Sequence, residues 1–117
     1  MTEACVHVWE FVVDEARRAE FEHHYGPRGT WAVLFGRATG YLGTQLLTDE
    51  ATPGRYLTID RWQSAEAYRA FRARYDVEYA ALDRQCAALT RHERTLGRFV
   101  EIPPLTPGGT RGAVPER

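Results

Sequence analysis

The stretch Tyr41–Trp62, YLGTQLLTDEATPGRYLTIDRW, decides the fold. Two runs rich in β-branched and aromatic residues flank DEATPG, a turn by composition, so the segment reads as an antiparallel hairpin. Ser64 follows as an N-cap for SAEAYRAFRARY, and helical spacing continues through Tyr79, Leu82, Cys86 and Leu89 after a bend near Asp76. Upstream, ACVHVWEFVV (Ala4–Val13) reads as a strand. Asp14 is placed to cap a helix running to about Tyr25, and TWAVLFGRA from Thr30 reads as a second short helix. Downstream, RTLGRFVEI supplies a fourth strand. The order strand, helices, strand, strand, helix, strand is the ferredoxin-like split βαβ arrangement, an α+β fold with a four-stranded antiparallel sheet.

Helices on one face of such a sheet leave the other face bare, so a homodimer with facing sheets is expected. Val6, Val8, Leu57 and Ile59 are the candidates for that bare face. Residues 1–102 form the expected domain. PPLTPGGTRGAVPER (103–117) has no hydrophobic period and is expected to be a flexible tail.

Composition removes several classes of function. With 117 residues, of which 44% are apolar and 26% charged, the chain is one ordinary globular domain. Fifteen arginines against sixteen acidic residues leave a net charge of -1, which gives no electrostatic footprint for nucleic acid. No apolar run approaches the length of a membrane span and no signal peptide is evident, so a cytoplasmic protein is expected. Two distant cysteines, Cys5 and Cys86, argue against a disulfide framework or a thiolate metal cluster. There is no lysine and no asparagine, which excludes a Schiff base or a side-chain amide of Asn from any mechanism.

Strand periodicity sorts the remaining chemistry onto one sheet face. Tyr56, Thr58, Asp60 and Trp62 alternate with Arg55, Leu57, Ile59 and Arg61. On the first strand Cys5, His7, Trp9 and Phe11 share a face, and Tyr41, Gly43 and Gln45 are expected to share one on the second. Aromatics with a few polar groups make a small-molecule pocket wall. The same aromatics also serve as ordinary core.

With WQSAEAY at Trp62–Tyr68, after YLTIDRW and before RAF, the chain resembles the antibiotic biosynthesis monooxygenase family of dimeric α/β barrels. AEFEHHYGPRGTW and TGYLGTQLL add to the likeness. The resemblance implies oxidation of an aromatic, polyketide-like small molecule in secondary metabolism, with O₂ as co-substrate and no metal or flavin cofactor. It places the family's strand Trp at Trp62 and its helix Tyr at Tyr68, while the Asn position falls on Thr58. The Arg position falls near Leu82, two residues from Arg84, which is expected to supply positive charge. A base is required, and Asp60 and His7 are the two candidates. Trp62, Tyr68, Arg84, Asp60 and His7 are thus the candidate catalytic residues, with Thr58, Tyr56, Trp9 and Phe71 as candidate substrate contacts. A ligand-binding or stress-related barrel without catalysis, and a polyketide cyclase or isomerase, are the alternatives on the same fold. Haem degradation fits poorly, because the positions it would use fall near Phe71, Ala81 and Trp9.

Other groupings are weaker. Glu20 and His24 at helical spacing, with His7, lack a third ligand at diagnostic spacing, so no metal is expected. RHER at Arg91–Arg94 reads as a solvated helix end. Cys86 reads as a small core residue.

Overall fold

The structure, a computed structural model, describes residues 3–104; of the expected tail, Leu105–Arg117 lie outside the described residues. In chain order the elements are β1 (Cys5–Val12), α1 (Arg18–Tyr25), α2 (Thr30–Phe35), β2 (Tyr41–Thr48), β3 (Arg55–Trp62), α3 (Ala65–Arg74), α4 (Asp76–Cys86) and β4 (His92–Val100). The four strands form one antiparallel sheet in the order β2-β3-β1-β4, the ferredoxin-like order. Among the described residues, no helix is long and apolar enough to cross a membrane.

The central pair β1 and β3 sets the two faces. Cys5 lies opposite Trp62 and Val12 opposite Arg55, in unbroken register. Cys5, His7, Phe11, Tyr56, Thr58, Asp60 and Trp62 are buried on the face that packs with the helices. Val6, Val8, Leu57 and Ile59, on the other face, are only half-buried. One charge is buried there too. Glu10 accepts from Arg55 Nε and Arg94 Nε, each at 2.6 Å, and these bonds hold its carboxyl below the usual range. Over the first face, Phe21, Trp31, Leu34, Phe35, Phe71, Leu82 and Cys86 close the core. Ser64 caps α3, accepting the Ala67 N–H at 3.0 Å.

Both edge strands carry a bulge beside a glycine. Leu42 is the extra residue between Tyr41 and Gly43, and Leu96 the extra residue between Thr95 and Gly97. Gly43 has φ +139° and Gly97 φ +149°, values that strain any residue with a Cβ. The first bulge corrects the expected face of β2. Past it the alternation shifts by one, so Thr44 and Leu46, not Gly43 and Gln45, lie opposite Asp60 and Thr58.

Other boundaries also differ from expectation. Asp14 makes no side-chain cap, and a 3₁₀ turn, Glu15–Arg17, precedes α1. The second helix ends at Phe35, short of Ala38. RHER is not a helix end: its last three residues open β4, and Arg94 is committed to Glu10. Strand pairing with β1 overrides the local helical reading there.

Candidate active site

A cavity of about 140 Å³ lies between the sheet and the helices. From the sheet come Trp9, Phe11, Thr44, Thr58, Asp60 and Glu93; from the helices come Tyr25, Trp31, Phe35, Tyr79 and Asp83. Phe11, Thr58 and Asp60 are buried and form its floor, whereas Asp83 and Glu93 are exposed and mark its mouth. An apolar cavity of roughly 150 Å³ takes one benzene ring. The space therefore encloses a single aromatic ring, and anything larger must extend past the mouth.

Asp60 is the chemically distinctive group on the floor. It is 8% exposed, and burial pushes its carboxyl up to about 6 against the opposing hydrogen bond from Thr44. Thr44 Oγ1 donates to Asp60 Oδ1 at 2.6 Å and is itself 2.6 Å from the Tyr41 hydroxyl. Asp60 Oδ2 accepts no hydrogen bond from any described residue. Burial raises the phenols of the wall as well: Tyr79 to about 12, and Tyr25 beyond it. Both remain protonated donors near neutral pH.

The expected site residues divide into groups. Trp9, Thr58 and Asp60 line the cavity together. Trp62, Tyr68 and Phe71 do not line it. Trp62 is 0% exposed and sits among Phe35, Tyr41, Tyr68 and Phe71 with ring centroids 5.2–5.5 Å away. Its Nε1 is buried without a partner among the described residues. His7 meets the Tyr68 ring edge-on at 4.2 Å, outside the cavity wall, and burial followed by the Arg98 charge lowers it to about 4. The Tyr68 hydroxyl accepts from Arg72 Nη1 at 3.2 Å. Tyr56 is buried and donates its hydroxyl to Glu22 at 2.5 Å, so it joins α1 to the sheet and is not part of the wall.

Arg84 stands apart from this cavity. It is exposed and does not line the cavity, because Leu82 and Cys86 take the buried stripe of α4 and two residues turn a helix by about 200°. No described arginine lines this cavity. Arg72 stacks on Tyr79, with Cζ 3.8 Å from the ring centroid, but is held by Tyr68.

Several wall residues escaped sequence reasoning. Asp83 lies one helical turn beyond Tyr79, so the period of α4 contained the signal. Thr44 needed the bulge, for which Gly43 was the only sign. Among the described residues no three His, Cys, Asp or Glu side chains are grouped to hold a metal ion. His24 is bonded through Nδ1 to Thr30 Oγ1 at 2.9 Å. Cys86 is buried, and burial raises its thiol, as suits a core residue.

The sequence pattern of antibiotic biosynthesis monooxygenases matches residues 6–81, well over half of the chain. The chain belongs to the antibiotic biosynthesis monooxygenase family. Among solved structures, it resembles a variant of SnoaB, a cofactor-independent oxygenase from Streptomyces nogalater. The identity is 24% and the TM-score 0.68, over 92% of this chain and 100% of that one. A Bordetella bronchiseptica protein bearing the antibiotic biosynthesis monooxygenase name is 18% identical, TM-score 0.69, over 87% of this chain and 100% of its own. A conserved protein of unknown function from Bacteroides thetaiotaomicron is 12% identical, TM-score 0.61, over 86% and 100%. At these identities the family's structures share the fold. No curated protein matches the sequence.

Proposed function

We propose that this member of the monooxygenase family is a cofactor-independent oxygenase of an electron-rich phenolic aromatic, of the polyketide kind found in secondary metabolism. The observation that carries the reading is Asp60: a carboxyl raised to about 6, with a free oxygen, on the floor of an aromatic-walled cavity. A base in that range accepts a phenolic or benzylic proton at neutral pH without being fully protonated itself. The resulting anion is the reductant for O₂. For an anthrone-type substrate, one oxygen atom stays on the ring carbon as a carbonyl. The other leaves as water with the two hydrogens of that carbon, so no external electron donor is needed.

The chain's own contribution is placement and proton transfer. Thr44 and Thr58 hold hydroxyls beside the base, and the protonated Tyr25 and Tyr79 offer neutral donors to developing negative charge. Trp9, Phe11, Trp31 and Phe35 exclude water from the ring. SnoaB's description as a cofactor-independent oxygenase supports the same chemistry. A second copy of the chain is proposed to cover the bare sheet face, on the side away from the cavity.

Oxygen uptake by chelator-treated, flavin-free protein tests the reaction. Anthrone and substituted phenols are expected to be consumed with O₂, and Asp60→Asn should slow this by about a hundredfold or more. Tight binding without uptake would replace the proposal by a non-catalytic ligand-binding role. Product formed without O₂ would replace it by cyclisation or isomerisation.

A further inference from the structure

We infer that Asp83 and Glu93 form a subsite for an ammonium group carried by the part of the ligand that stays outside the cavity. This deepens the phenolic reading and rests on it. The cavity encloses about one ring, so the ligand's remaining atoms must pass its mouth, where these two carboxylates stand. One comes from α4 and the other from β4, and both line the same cavity; partial burial first, and the Asp83 charge second, raise the Glu93 carboxyl. Neither makes a salt bridge with any described residue. Among the described residues Glu93 has only a long contact from Thr90 Oγ1, at 3.4 Å.

The interior points the same way. Two indoles and a phenol, Trp9, Trp31 and Tyr25, contribute to walls lined by no described arginine, while the Tyr79 ring already stacks on Arg72. Aromatic faces of this kind favour a positive guest. Asp60, more than nine-tenths buried, keeps Oδ2 unpartnered at the floor, where a phenolic hydroxyl would donate to it. The lining thus asks for a hydrogen-bond donor at the inner end of the ligand and a positive charge at the outer end. A carboxylate at the outer end would meet two like charges with no described arginine in the lining to answer it.

Three probes that share a 4-ethylphenol frame separate these demands: tyramine, 4-ethylphenol and 3-(4-hydroxyphenyl)propionate. Their affinities are read by quenching of tryptophan fluorescence, since Trp9 and Trp31 line the cavity. At pH 7.5 and low salt, tyramine is expected to bind about tenfold more tightly than 4-ethylphenol, and the propionate most weakly. The double variant Asp83→Asn, Glu93→Gln should bring tyramine to the level of 4-ethylphenol. Unchanged 4-ethylphenol affinity in that variant shows that it folds with the cavity intact. Equal binding of tyramine and 4-ethylphenol by the unaltered protein overturns the subsite and leaves the phenolic site standing. So does a tyramine preference that survives in the double variant. Failure of all three probes to bind overturns both readings.

Discussion

His7 on β1 and Asp60 on β3 are register partners on the helix side of the sheet, both buried, and their pKa values are displaced in opposite directions. Burial is the larger cause for each, so each residue favours its neutral form. An ion pair between them would reverse both displacements. The consequence for stability is a cancellation. The native state binds more protons at Asp60 between about pH 4 and 6, so this contribution falls as pH rises. The native state binds fewer at His7 between about pH 4 and 6.5, so that contribution rises. Relative to the unaltered protein, Asp60→Asn should gain roughly 3 kcal/mol between pH 4 and 7, and His7→Gln should lose about as much. Urea titrations across that range read both differences. Slopes of the opposite sign would establish an ion pair.

The same displacement sets the pH dependence of the reaction. If Asp60 takes the proton, kcat/KM should rise with pH and level off above about 6, and the limb should vanish in Asp60→Asn. A limb near pH 4 that survives in Asp60→Asn would transfer the role to His7, which is lowered to about 4. Oxygen-uptake rates at subsaturating substrate from pH 3 to 8 separate the two.

Much of the fold was legible because alternation on β1 and β3 is regular and Ser64 caps α3 as its chemistry requires. The family resemblance also extended over the region that the sequence pattern matches. The site was legible only in part. Trp9, Thr58 and Asp60 follow from strand alternation alone. Thr44 depends on a one-residue bulge, which inverts the face of every residue after it. Arg84 was assigned by its nearness in sequence to Leu82, whereas a helix sends residues two apart to opposite sides. Trp62 satisfies the family pattern, yet the pattern does not separate a wall residue from the core behind it.

Trp62→Phe distinguishes those last two roles. The side chain is fully buried against four aromatic rings, and its Nε1 has no acceptor among the described residues. Replacement by Phe leaves a void and should lower stability by roughly 1–2 kcal/mol. Turnover at a temperature where the variant is folded should change less than about threefold. A loss nearer a hundredfold, with stability unaltered, would place the indole N–H on the reacting oxygen.

The bare face of the sheet supplies the last test. Val8 lies opposite Ile59 in register, flanked by Val6 and Leu57, and all four are half-buried where no described helix covers them. Exposed Leu47 and Phe99 lie opposite Leu57 and Val6 and extend the patch on both edge strands. An apolar surface of this kind is rarely left in water. Light scattering at micromolar concentration should therefore report a dimer, and Ile59→Glu should report a monomer because it sets a like charge against its symmetry mate in an apolar contact. The cavity opens on the other side of the sheet, so 4-ethylphenol should bind the monomeric variant as it binds the dimer. A monomer without any substitution would overturn the sheet-to-sheet assembly. Loss of binding in monomeric Ile59→Glu would show that the partner subunit completes the cavity.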